Sequence, residues 1–182
     1  MISQGLLILD AHKTPFDIFR TAVWVSKKYN PKKIHLPIAG YFFYVPILKQ
    51  LTKYYSSKYN ICLYPVYRSF ELTTTDLFTR FFYLFYPKYL TSFEKQKKNE
   101  KYFSTAIKAI KSKREVVIVS PYGGYINYGK KIMYGVKKLI SQTPHIIVAH
   151  TKFTTTFQNF NVTNISDKTL DKKLKKAFKS LK

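Results

Sequence analysis

His12 and Asp17 stand five positions apart in Asp10-Ala-His-Lys-Thr-Pro-Phe-Asp17. A histidine bonded to a carboxylate through one ring nitrogen is held in a single tautomer, and its other nitrogen can then accept a proton from a hydroxyl. That is general-base chemistry. The same spacing has a plainer use, because Thr14, Pro15 and Asp17 fit the N-cap, N1 and N3 positions of a helix, where the acid bonds back to the Thr14 amide. Taken alone, the spacing favours the cap. Asp10, two residues before His12, either shares in orienting it or simply ends a strand. His35 lies in a strand-like run and reads as a satisfied core or edge histidine, and His145 and His150 flank an apolar run without a carboxylate at a telling distance.

These residues need a scaffold, and the hydrophobic pattern supplies one. Short apolar runs bounded by turn residues predict strands over Leu6 to Leu9, Ile34 to Pro37, Ile61 to Val66, Val116 to Val119 and His145 to Ala149. Between them, Phe16, Phe19, Val23 and Ser26 share one face of a helix expected from Pro15 to Tyr29, with Thr14 as its cap. Ser92 is expected to cap a helix running through Phe103, Ile107 and Ile110, and Met133 to Ile140 reads as a shorter one. Alternation of this kind predicts an α/β fold: a single domain with a mostly parallel central sheet flanked by helices, and functional groups at the carboxyl ends of the strands. There is no internal repeat and no Gly/Ser linker. Residues 1–165 are read as the α/β domain and 166–182 as a basic amphipathic helix.

Composition narrows the partners. The 182 residues carry 32 Lys and Arg against 9 Asp and Glu, a net charge of +23, with 46% hydrophobic and 18% aromatic residues. Such a chain has the apolar content to fold, and its charge calls for anionic surroundings: lipid headgroups, nucleic acid or phosphorylated substrates. Only Arg20, Arg68, Arg80 and Arg114 are arginines, which tilts the balance away from base-specific reading of DNA. The lone Cys62 has no internal disulfide partner and no second cysteine for a zinc site, so a reducing, cytoplasmic setting without metal is expected. No apolar run is long enough to span a bilayer, and Met1 to Asp10 lacks the marks of a signal peptide. Near the end, Leu170, Leu174, Ala177, Phe178 and Leu181 form one stripe among Lys172, Lys173, Lys175, Lys176 and Lys179, fitting either membrane contact or an ordinary packed helix. The aromatic run from Asp76 to Leu90 suits a headgroup layer, an acyl channel or plain core.

The order of blocks adds a further reading. After His12 and Asp17 come Lys33-Ile-His-Leu-Pro-Ile-Ala-Gly-Tyr-Phe-Phe-Tyr-Val-Pro46, then Tyr64-Pro-Val-Tyr-Arg68, then Val116-Val-Ile-Val-Ser-Pro-Tyr-Gly-Gly124. Over roughly Leu6 to Ala149 this resembles the glycerophospholipid acyltransferase family, that of lysophosphatidic acid and glycerol-3-phosphate acyltransferases. The resemblance implies that His12 deprotonates an acceptor hydroxyl for direct attack on an acyl thioester, with Asp17 orienting it and no covalent acyl-enzyme. It also implies that Arg68 binds the acceptor's phosphate. Tyr122, Gly123 and Gly124 occupy the third block, the glycines offering backbone N–H groups to an anion or merely a tight turn, and Lys130 with Lys131 would supply phosphate charge. Ala11 stands where the family usually has Asn, and Tyr122, Gly124 and Tyr125 replace its Glu, Thr and Arg. Eleven residues precede His12, as in a fragment or a reduced member.

The expected function is therefore acyl transfer at a membrane surface, cytoplasmic and peripheral. The acyl group would pass from acyl-CoA or acyl carrier protein as co-substrate, with no cofactor, to a hydroxyl of a lysoglycerophospholipid or glycerol phosphate. A catalytically silent relative that binds anionic lipid is the alternative, and nonspecific nucleic-acid binding ranks last.

Overall fold

β1 (Leu6–His12) lies in the middle of a six-stranded sheet, between β4 (Glu115–Val119) and β5 (Ile146–Thr151). Outward from β4 come β2 (Lys33–Ala39) and β3 (Ile61–Val66), and β6 (Thr155–Phe160) closes the opposite edge. Every pairing is parallel except that of β5 with β6. The computed structural model describes residues 4–12, 14, 16–67, 91–122, 132–143, 145–151, 155–162 and 167–181, with the backbone alone for His12 and for 167–168.

Five helices flank the sheet among the described residues: α1 (Asp17–Tyr29), α2 (Pro46–Tyr59), α3 (Ser92–Lys111), α4 (Tyr134–Ile140) and α5 (Asp167–Ser180). A strand's side chains alternate between its two faces, so the sheet is apolar on both. Leu6 and Ile8 of β1 pack with Ile34, Leu36, Val116 and Ile118 against Ile18, Phe19, Ala22 and Val25 of α1. Leu7, Leu9 and Ala11 pack the other way, with Val117, Val119 and Val148, against Tyr102, Ala106 and Ile110 of α3, Val136 and Leu139 of α4 and Leu170, Leu174 and Phe178 of α5. This is the α/β, mostly parallel architecture expected. The stripe on α5 is buried against the sheet, so the packed alternative holds for that helix, and only its lysine face meets solvent.

Local chemistry sets the element ends. α1 and α2 stop at Asn30 and Asn60, whose left-handed backbones (φ 43° and 55°) turn their N–H groups back to the carbonyls of Ser26 and Ser56. α3 is capped one residue earlier than expected: Thr91 accepts from the Glu94 amide, and Glu94 accepts the Thr91 N–H at 2.8 Å, a capping box. α1 begins at Asp17 rather than Pro15, because Thr14 to Asp17 closes first as a tight turn, the Asp17 N–H bonding the Thr14 carbonyl at 3.1 Å. β2 runs two residues past Pro37, and β6, a polar edge strand, escaped the sequence pattern. Gly5 is demanded by close approach, since a Cβ there would collide with the Ile110 carbonyl at the end of α3.

Candidate active site at the carboxyl edge of the sheet

In a parallel sheet all carboxyl ends lie at one edge, and the helices that follow begin there. His12 is the last residue of β1, its Cα opposite Thr151 of β5, and Asp17 opens α1 a few residues later. The His12 ring lies outside the described residues. Asp17 is buried at 3% exposure, and its carboxylate accepts the Thr14 amide at 2.8 Å and Arg20 Nη1 at 3.3 Å. The acid thus makes the bond back to Thr14 that the helix-cap reading predicts, and it adds an arginine. Arg20 is a residue the sequence reading passed over; its i, i+3 spacing from Asp17 on a helix was the available signal.

Beneath this pair lies a second acid. Asp10 is fully buried, and the Thr21 hydroxyl donates to its Oδ1 at 2.8 Å. The same hydroxyl meets the Thr151 hydroxyl at 2.7 Å, which in turn lies 3.3 Å from that of Thr155. Buried carboxylates persist only where hydrogen bonds replace water. The network therefore ties β1, α1, β5 and β6 together at the residue pair that includes His12. Sequence reasoning named Asp10 but not these partners, because Thr21 lies 11 residues from Asp10 and Thr151 a further 130 residues along the chain.

The end of β3 is fixed from another direction. The Tyr67 N–H donates to Asn99 Oδ1 at 2.8 Å, and Asn99 Nδ2 donates to the Tyr67 carbonyl at 2.7 Å. This clasp on α3 pins the backbone immediately before Arg68. The Tyr67 ring lies over Gly40 so closely that any Cβ would strike it, and its hydroxyl meets that of Tyr44 at 3.1 Å. Lys95 and Lys98 stand 6.0 and 5.9 Å from the same ring, within cation–π reach.

The remaining sequence candidates divide. Arg68, Gly123, Gly124, Lys130 and Lys131 lie outside the described residues, as does the whole aromatic run from Asp76 to Leu90. Tyr122, expected to contact substrate, is buried: its hydroxyl donates to Asp171 of α5 at 3.4 Å, and its ring meets Phe178 edge-on. An aromatic ring just past a central strand gains more from the covering helix than from an open edge. His35 has both ring nitrogens engaged, Nδ1 with the Tyr64 hydroxyl at 2.9 Å and Nε2 with Glu115 at 2.8 Å, the satisfied histidine the sequence suggested. Burial, aided by the charges of Cys62 and Glu115, pushes the Tyr64 phenol up to about 12.

Among the described residues no three His, Cys, Asp or Glu side chains gather to hold a metal ion, and no helix is long and apolar enough to cross a membrane. No family model matches the sequence, and no curated protein proves similar to it.

Proposed function

We propose that this protein transfers a fatty acyl group, from acyl-CoA or acyl carrier protein, to a hydroxyl of a phosphate-bearing glycerolipid at a membrane surface. One observation carries the reading: the four sequence blocks that resemble the glycerophospholipid acyltransferases include or adjoin β1, β2, β3 and β4, four parallel strands whose carboxyl ends share one edge. Blocks scattered over both edges could not act on one substrate.

In this reading His12 accepts the proton of the acceptor hydroxyl as its oxygen attacks the thioester carbonyl. The carbon–sulfur bond then breaks, and the departing thiolate takes the proton from the imidazolium. Asp17, its carboxylate held by Thr14 and Arg20, is the positioning acid, and the buried Asp10 network fixes the strand end that carries His12. Arg68 and Lys130 receive the phosphate, and Gly123 and Gly124 supply backbone N–H groups.

Positioned base catalysis contributes roughly 100- to 10,000-fold. His12→Ala is expected to lower acyl transfer to lysophosphatidic acid or glycerol 3-phosphate by that factor with an unchanged melting temperature. Transfer at the parental rate would overturn the proposal. The eroded third block favours a second reading, a silent relative that holds anionic lipid; vesicle binding by a protein that transfers no acyl group would select it.

A further inference from the structure

Among the described residues six large hydrophobic side chains stand out as exposed: Phe16, Ile47, Tyr54, Phe93, Met133 and Tyr134. Five of them occupy the cap or first turn of a helix. Phe16 and Met133 are the N-caps of α1 and α4, Ile47 and Phe93 are the second residues of α2 and α3, and Tyr134 is the first of α4. Because these four helices begin at the carboxyl edge, the exposed apolar groups ring that edge from both faces of the sheet.

Placement along the helices sharpens the pattern. The Met133 N–H bonds the Pro121 carbonyl at 3.0 Å, just past β4, so α4 starts level with the strand end. Asn99 of α3 is level with the end of β3 through its clasp on Tyr67. Phe93, six residues earlier, therefore projects about 9 Å farther along the helix. Ile47, Phe93 and Tyr134 are 72%, 74% and 82% exposed, the reverse of what folding would select for residues of this size.

We infer that this ring of apolar side chains is the surface by which the protein seats itself on an anionic bilayer, with the carboxyl edge of the sheet facing the lipid. Charge complementarity selects that occupant. Exposed Arg20, Lys49 and Lys97 stand within about one turn of the apolar groups, whereas the acids of these first turns are Asp17, which is buried, and Glu94, which is held by Thr91. A net charge of +23 adds long-range attraction to an anionic surface. The α5 stripe cannot serve, being packed into the core, so among the described residues the ring is where apolar surface and positive charge coincide. The inference rests on the acyl-transfer reading only for its purpose, which is to bring the His12 edge to a lipid substrate.

The test is co-sedimentation of the full chain with vesicles of phosphatidylcholine and phosphatidylglycerol at one fixed salt concentration, comparing the parent with the triple variant Ile47→Ser, Phe93→Ser, Tyr134→Ser. A residue inserted at the interface is expected to contribute about fivefold in partitioning, or about 1 kcal/mol. The triple variant should therefore lose about 100-fold while keeping its melting temperature. Replacing Lys172, Lys173, Lys176 and Lys179 of α5 with Gln should cost less than the triple variant. Equal partitioning of parent and triple variant would overturn the inference, as would a loss from the α5 variant that exceeds it. So would displacement of the parent from vesicles by a single-stranded oligonucleotide that the triple variant binds equally well. The two proposals fail separately: vesicle binding lost in the triple variant of a protein that transfers no acyl group sustains the docking surface and removes the chemistry.

Discussion

Thr21→Val isolates the buried network under the candidate site. Valine nearly matches threonine in volume, so the change leaves almost no cavity and acts through the hydroxyl alone. That hydroxyl donates to Asp10 at 2.8 Å and meets Thr151 at 2.7 Å, with all three residues fully buried. A hydrogen bond to a charged group contributes about 1.5–3 kcal/mol, and a neutral one about 0.5–1.5 kcal/mol. Losing both should destabilise the fold by about 3 kcal/mol, since neighbouring bonds do not add fully. In a chain of this length that corresponds to a fall in Tm of roughly 6–12 °C. Thr21→Ser keeps the hydroxyl and removes one methyl, so it should cost only about 1 kcal/mol. Urea unfolding followed by circular dichroism, read at constant slope, measures both. If Thr21→Val proves no worse than Thr21→Ser, the hydroxyl does not hold Asp10 and the account of the strand end is wrong.

Two further outcomes follow from the same geometry. Tyr64 is raised to about 12, chiefly by burial, so the folded state prefers the neutral phenol; its contribution is complete below pH 10, the ordinary tyrosine value, and is lost as pH rises from there to about 12. The difference in tyrosinate absorbance between the parent and Tyr64→Phe should therefore appear near pH 12, and a difference appearing near pH 10 would contradict the buried His35–Tyr64 contact. Leu174 of α5 is fully buried, so Leu174→Ala should destabilise by about 2–5 kcal/mol in urea; a loss below about 0.5 kcal/mol would mean that the helix does not belong to the core.

The strands were readable because each parallel strand is covered on both faces and so appears as an unbroken apolar run such as Val116-Val-Ile-Val119. β6 was not, because an edge strand facing solvent carries Thr156, Gln158 and Asn159 and looks like a loop. α1 was legible as a helix, but its buried face is Ile18, Phe19, Ala22 and Val25 rather than the expected Phe16, Phe19, Val23 and Ser26, with Phe16 exposed, and its start was displaced because the Thr14–Asp17 turn competes for the same residues. At the site, spacing within one segment was readable: His12 and Asp17 could be paired on paper, and so could the capping bond that Asp17 makes. Partners joined only by the sheet were not. Thr21 and Thr151 meet because β1 and β5 are neighbours, and Tyr67 meets Asn99 because α3 runs back past β3. Strand order is a property of the whole chain that no local pattern encodes.

Where the buried polar residues lie argues for the function of that edge. Six of the ten buried polar residues among those described, Asp10, Asp17, Thr21, Ser120, His150 and Thr151, lie at or just beyond the carboxyl ends of β1, β4 and β5, or on α1 beside them. The middles of the same strands are Leu, Ile and Val. A core selected for stability alone would continue those apolar residues to the strand ends, since replacing buried polar groups by packed hydrophobic ones is often neutral or stabilising. Exposed apolar residues at the mouths of the helices violate the opposite rule at the same edge. Both departures lie at the same edge of the sheet as the strand ends that carry the acyl-transfer reading, and departures from folding logic concentrate where a protein meets its substrate.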